Sequence, residues 1–556
     1  QWIFEADLIQ RSGELTDADM VMGIILIVLV FEAARRVMGW ALPIICCIFL
    51  AYGLFGQYLP GDLMHRGYGV DQIINQLSFG TEGLYGTPTY VSATYIFLFI
   101  LFGAFLAKSG MGKLFNDLAM ALAGHKQGGP AKVAVISSGF MGSINGTAVA
   151  NVVGTGSFTI PLMKKIGYHK NFAGAVEASA SVGGQILPPV MGASAFIMAE
   201  TTGVSYGTIA LAATLPALLY YLGVMAQVHF RAGKDNLKGV PKADLPRVKD
   251  VLKERGHLLI PIVALVFFLF QSIPVSYAAV YTIVLTVVVA SFRKSTRMGF
   301  KEILEALADG AKQSLSVMAA CAVVGIIIGV VSLTSFGSVM TSSIMSIGAG
   351  SLFLTLFFTM IASMILGMGL PSIPAYIITA TMAAPALANF DIPTLVAHMF
   401  VFYFGLFANI TPPVALAAFA GAGIAGGDPM RTGFQALKLS LAGFIVPFLF
   451  VYNPAMLMID TANVAVNARE FAFPAWTTIV SIVFTSVVGI LALGAAVEGY
   501  FKVGLNWFWR IFLGAGALCM IIPETVTDII GIVMVVIAIS INIMQAKKQN
   551  QSYSLS

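Results

Sequence analysis

Charge is what this sequence has least of, with 10% of its 556 residues Asp, Glu, Lys or Arg against roughly a quarter in an ordinary soluble domain. From Gln313 to Phe390 there is no Asp, Glu, Lys, Arg or His at all. With 58% hydrophobic residues and a mean hydropathy of +0.88, the apolar content is too large for one soluble core, because such cores split into domains beyond roughly 250 residues. The chain therefore lies mainly in a lipid bilayer. Its apolar runs lack the alternation of a β-barrel, so the spans are helices of roughly 20 residues each. Cysteine is scarce too: Cys46, Cys47, Cys321 and Cys519 sit in apolar stretches without zinc or redox spacing, which makes them small hydrophobes and excludes a disulfide framework. No His is followed by Glu and no phosphate-binding Gly-x-x-x-x-Gly-Lys-Ser/Thr loop occurs, so metalloprotease and ATPase chemistry lack their residues. An enzyme is not expected, and the net charge of +5 does not imply nucleic acid.

The basic residues give the topology, since Lys and Arg in short loops mark the cytoplasmic side. The chain opens at Gln1 in a polar segment with no initiator Met or signal peptide, so the polypeptide is expected to extend further N-terminally. Asp17 and Asp19 precede a span ending at Arg35 and Arg36; residues 41–59 return outward, and residues 91–107 come back to Lys108 and Lys113. An uncharged stretch follows from Val133 to Met163, preceded by Lys126 and Lys132 and followed by Lys164, Lys165 and Lys170, within a unit of about 132–166. It reads as a re-entrant hairpin entered from the cytoplasm. Residues 172–200 cross outward to Glu200, and residues 206–228 return to a loop over 231–255 with eight Lys or Arg. Residues 258–270 and 277–291 form a pair joined at 272–275, and 301–312 reads as an amphipathic helix lying along the interface before an outward span over 316–331. Residues 351–388, without basic flanks and followed by Asp391, form a second hairpin entered from outside. Residues 393–427 cross in to Arg431 and Lys438. About four more spans follow, with acidic outer loops at 460–470 and 524–528 and a cytoplasmic C-terminus carrying Lys547 and Lys548.

Gln185-Ile186-Leu187-Pro188-Pro189-Val190 and Asn409-Ile410-Thr411-Pro412-Pro413-Val414 are alike, and the offset that carries Pro188 onto Pro412 also carries Pro161 onto Pro385 and Thr155 onto Thr379 without a gap. With one hairpin entering from each side, the two units are inverted relative to each other, the arrangement of many secondary transporters. Each diproline interrupts its helix, and carbonyls released at membrane depth must face a cavity, a cation or other protein. Opposite the breaks should lie the hairpin tips, residues 143–147 and 367–372. Oxygen ligands there suit an alkali cation, and half-helix N-termini suit a carboxylate. One cation is expected near Ser143, Asn145, Gly183 and Gly184, and a second near Gly367, Gly369, Asn409 and Thr411. The substrate is expected against Asn145, Thr147, Gln185, Pro188, Ser372, Asn409 and Pro412. The same glycines and prolines also serve plain kinking and close packing, as they do in many membrane helices.

The run Ser181-Val182-Gly183-Gly184-Gln185-Ile186-Leu187-Pro188-Pro189-Val190-Met191-Gly192, with Phe196 to Glu200 after it, resembles the large permease subunit of tripartite ATP-independent periplasmic (TRAP) transporters. It is most similar to the fused small-and-large form that works with TAXI-type receptors. The resemblance implies that residues 1–80 end a fused small subunit serving as scaffold, that residues 81–460 are the large subunit, and that residues 461–556 add C-terminal membrane helices. It further implies an all-α polytopic fold like that of the ion transporter superfamily, an elevator mechanism, a bacterial or archaeal inner membrane, an extracytoplasmic receptor and coupling to an ion gradient. No other cofactor is implied.

Ionisable residues within spans are functional candidates. Glu177, before the first break, and His398, before the second, are candidates for carrying a coupling proton; alternatively Glu177 pairs with Lys170 near the cytoplasmic end. The reading is a secondary active importer of a small carboxylate coupled to sodium, with the proton as alternative. A receptor-independent carrier, an ion channel, a membrane-embedded enzyme and a transport-free scaffold are the competing classes, of which a channel is disfavoured because two inverted units in one chain suit a carrier. Receptor docking is expected near residues 200–205, 335–351 and 460–470.

Overall fold

The computed structural model describes residues 5–11, 13–271, 273–460, 465, 467–521 and 525–554. The opening at Gln1, part of the turn at 272–275, and parts of the outer segments 460–470 and 524–528 lie outside the described residues. Among the described residues the elements are helices joined by turns, with isolated bridges at Asp460–Ala472 and Tyr500–Gly504 and no strand. Among the described residues six helices are long and apolar enough to cross a membrane, including Thr87–Lys108, Tyr206–Lys234, Phe300–Thr334 and Trp476–Glu498. Apart from Ala148–Ile166, the helices around both diprolines and both Gly-rich tips are shorter, as expected where Gly and Pro interrupt the hydrogen-bond ladder.

One expectation needs correction. Residues 301–312 and 316–331 are not an interfacial helix and a separate span but one continuous helix, Phe300–Thr334. Nothing between Lys312 and Ser316 is Pro or Gly, so the backbone bonds continue. At 1.5 Å per residue the helix is about 50 Å long, which exceeds the roughly 30 Å hydrocarbon core. On its charged first turns Glu305 and Asp309 pair with Lys108 at 2.9 and 3.4 Å. Residues 336–348, within the segment 335–351 expected to dock a receptor, form the helix Phe336–Gly348 rather than a loop. Cys46 and Cys321 are buried as expected of small hydrophobes, but Cys47 is exposed because it follows Cys46 by one residue and so points to the other side of its helix.

The long helix packs on Asp17–Met38, Ala41–Phe55 and Phe97–Lys108. Elsewhere the centre of the molecule is the helix Lys170–Gly184, in which every residue from Asn171 to Gly184 is buried. Its Ala, Gly and Ser side chains let neighbouring backbones come close, the usual basis of packing between membrane helices. A Cβ on Gly174 would lie 2.8 Å from the Gly421 carbonyl oxygen. The helix Thr394–Phe407 is buried by the opposite means, with Phe400, Phe404 and Phe407 packed against Phe444 and Phe448.

Sequence reading did not single out Glu498, which ends the helix Trp476–Glu498 and is 1% exposed. Lys438 Nζ lies 2.6 Å from its Oε1, and Arg231 Nη1 is 3.9 Å from its Oε2. Removing one partner of a buried pair leaves the other charge desolvated, at about 3 to 5 kcal/mol for a fully buried pair. Lys438 is one-third exposed, so Lys438→Met is expected to cost about 2 kcal/mol. The Lys438→Met/Glu498→Leu double variant should recover most of that loss in a thermal-unfolding double-mutant cycle.

Candidate transport site

The first tip is the junction of Gly129–Asn145 and Ala148–Ile166, where Gly146 caps the first helix at φ +67°. That left-handed turn suits glycine, and a side chain there would also press on the Met191 carbonyl at 3.1 Å. The first break runs from Gln185, after Lys170–Gly184, to the start of Ser194–Thr202. The structure brings tip and break together. The backbone amides of Val190 and Met191 both donate to the Ser143 carbonyl at 3.1 Å. Gly142 and Gly184 touch backbone to backbone, since a Cβ on Gly184 would lie 2.5 Å from the Gly142 Cα. The Gln185 side-chain amide donates to the Gly146 carbonyl and to the Ser372 hydroxyl, each at 2.9 Å.

Ser372 belongs to the second tip, between Leu352–Gly367 and Ser372–Met382. Gln185 thus joins the first break to both tips. The second break lies between Thr394–Phe407 and Leu416–Ala425. There Gly367 sits against Gly405 and Ala408, and Gly369 against Val414, so close that a Cβ on either glycine would come within 3.0 to 3.2 Å of them. Helix starts recur at the offset of the diprolines: Ala148 corresponds to Ser372, and Lys170 to Thr394. Both diproline bonds are cis.

The expected ligand residues differ in how free they are. Ser143 donates its hydroxyl hydrogen to the Phe140 carbonyl of its own helix at 2.9 Å, and Thr411, in the second break, donates to the Phe407 carbonyl at the end of the preceding helix at 2.8 Å, which leaves oxygen lone pairs for another partner. Asn409 donates to Leu406 at 3.2 Å. Among the described residues the half-buried side chains of Asn145 and Thr147 make no hydrogen bond. Gln185 Oε1 is buried and unpaired, and Gly183 is covered by Tyr220. Pro188 and Pro412 are half-buried. Sequence reading missed Tyr206, whose hydroxyl donates to the Pro189 carbonyl at 3.1 Å and to that of Val190. It lies on the next helix, where nothing in the local pattern points back to the break.

Glu177 does not pair with Lys170. Seven residues apart on one helix, the two are separated by about 10 Å of rise, and Lys170 is exposed whereas Glu177 is wholly buried. Its carboxylate instead accepts hydroxyls from Ser138, Thr155, Thr159 and Ser181. His398 Nδ1 meets the Tyr376 hydroxyl at 2.8 Å. Arg469 lies against Gly203, and Thr394 donates to Asn467 at 3.0 Å, so two of the segments expected to dock a receptor come together.

Three relatives share much of this chain. The sialic acid TRAP transporter large permease SiaM of Vibrio cholerae is 27% identical over 234 residues, 41% of this chain and 54% of that protein. The 2,3-diketo-L-gulonate large permease YiaN of Escherichia coli is 25% identical over 66% of this chain and 86% of its own length. The isethionate permease DctMQ of Oleidesulfovibrio alaskensis is 24% identical over 65% of this chain, and the chain covers 56% of it. The chain therefore spans about half the length of the sialic acid and isethionate permeases it matches. These relatives are permeases, not enzymes. Residues 25–464 match the family described as "Tripartite ATP-independent periplasmic transporter, DctM component", and the chain belongs to that family of multi-pass membrane permeases.

Proposed function

We propose that this chain is the membrane permease of a secondary, ion-coupled importer that takes a small organic acid from a TAXI-type extracytoplasmic receptor. The observation that carries this reading is the Gln185 side chain, which ties the first helix break to the tips of both hairpins. A polar group buried at that junction suits a site that changes shape between two states. The named substrates of the relatives, sialic acid, 2,3-diketo-L-gulonate and isethionate, are all small organic anions, which supports an anionic substrate here. The family description itself is of a tripartite transporter, which supports a receptor. Residues 1–80 act as the scaffold end of a fused small subunit, and residues 461–556 as added helices with a cytoplasmic C-terminus in a bacterial inner membrane. The matched helix starts support two inverted units moving as an elevator against the long helix Phe300–Thr334 and its neighbours.

Sodium is the coupling ion in this reading, held at the two break-and-tip junctions. Thr411→Val removes one hydroxyl while keeping the side-chain shape. It is expected to weaken the sodium dependence of uptake at least several-fold while the thermal midpoint moves by only a few degrees. An unchanged sodium response would remove Thr411 from the ligand set. The reading as a whole is tested in proteoliposomes containing the chain, with radiolabelled organic acids supplied on a TAXI receptor under a sodium or a proton gradient. Saturable uptake that needs the receptor and a gradient is expected. Equal rates without receptor would make the chain a receptor-independent carrier, and ohmic current would make it a channel.

A further inference from the structure

A buried carboxylate without a counter-ion is retained only where something repays its desolvation. Glu177 is 0% exposed, midway along Lys170–Gly184 and between the two arms of the first hairpin. Ser138 reaches it from one arm and Thr155 and Thr159 from the other, while Ser181 adds a bond of 3.3 Å from one turn further along. No Lys, Arg or His forms an ion pair with it among the described residues.

The groups that could answer its charge are engaged elsewhere. Lys132 on the first arm meets His229 at 3.0 Å, and Lys164 on the second donates to the Ala425 carbonyl at 2.8 Å. Tyr220 and Tyr221, from Tyr206–Lys234, donate to the Ser179 and Ala180 carbonyls. From Pro429–Leu439, Lys438 pairs with Glu498 and Arg431 is exposed; Leu416–Ala425 carries no titratable residue. The hydroxyls touch the carboxylate directly, and a Cβ on Gly156 would come within 3.0 Å of Glu177 Cγ. An alkali ion would have to push these oxygens apart, whereas a proton needs no space of its own.

The hydroxyls also have a second place for their hydrogens. Thr155 Oγ1 is 2.8 Å from the Asn151 carbonyl and Thr159 Oγ1 is 3.1 Å from the Thr155 carbonyl. When Glu177 takes up a proton, its O–H donates to one threonine oxygen, and that threonine's hydrogen turns to the carbonyl one turn back. No donor or acceptor is orphaned in either state. We propose that Glu177 and its hydroxyl cage form a reversible proton-binding site inside the first hairpin, separate from the break-and-tip junctions. His398, whose ring is taken by Tyr376, is not part of it. A role for the site in transport, with a proton moving beside or in place of sodium, rests on the importer reading above.

The test is pH-difference infrared spectroscopy of the purified full chain in lipid, without substrate or receptor. The native protein is expected to show the carbonyl stretch of a buried protonated carboxyl group that rises and falls with pH. Glu177→Gln should lose that band, and Thr155→Val should move it to higher frequency by removing a hydrogen bond. A band that persists unchanged in Glu177→Gln, or no titrating band in the native protein, overturns the proposal. If Glu177→Gln does not fold, an unmoved band in Thr155→Val overturns it equally. Because nothing is transported, failure of the importer reading and failure of this site are separate results.

Discussion

Gln185→Leu is expected to lower initial uptake by about tenfold or more while leaving a folded protein. Leucine has nearly the volume of glutamine, so the packing survives. The two bonds of 2.9 Å, to the Gly146 carbonyl and the Ser372 hydroxyl, do not. A buried acceptor left without its donor costs about 1 to 3 kcal/mol, and each 1.4 kcal/mol is about tenfold in an equilibrium between two conformations. The loss falls on whichever state holds break and tips together. Gln185→Glu is a second probe, since an ionised carboxylate keeps the shape but can only accept. Uptake rates in proteoliposomes and thermal midpoints in detergent are the two readouts. Parental uptake by a folded Gln185→Leu variant would show that the bridge plays no part in transport.

Gly184→Ala is expected to lose stability that Gly154→Ala keeps, although on an isolated helix both changes should help by up to about 1 kcal/mol. Around Gly154 nothing lies within 4 Å of a new Cβ, so that variant should be neutral or slightly stabilised. At Gly184 the new atom meets the Gly142 Cα at 2.5 Å and its carbonyl carbon at 2.8 Å. Both are backbone, so the hairpin arm itself must move. Overpacking of this kind costs about 1 to 3 kcal/mol, occasionally more. It should also separate the amides of Val190 and Met191 from the Ser143 carbonyl and lower uptake. Thermal unfolding of the two variants side by side decides the matter. A Gly184→Ala variant as stable as Gly154→Ala would mean that tip and break are not held in backbone contact.

The sequence by itself determined the lipid solvent, the helical class, the positions of the breaks and the family. These follow from local causes: charge-free runs demand helices in a bilayer, and diprolines interrupt a helix wherever they fall. The match of Pro188-Pro189 with Pro412-Pro413 was legible because the flanking residues keep register without a gap. Partnership across the fold was not. That Gln185 would reach Ser372, or that Glu177 would face Ser138, Thr155 and Thr159 rather than Lys170, depends on how helices far apart in the chain pack. Burial of Glu498 was hidden because its partner Lys438 lies far back in the chain on another helix. The continuity of Phe300–Thr334 was misread because charge ends at Lys312 although the hydrogen-bond ladder does not. Hydropathy reports the solvent each residue prefers, and side-chain packing between distant helices decides which polar group meets which.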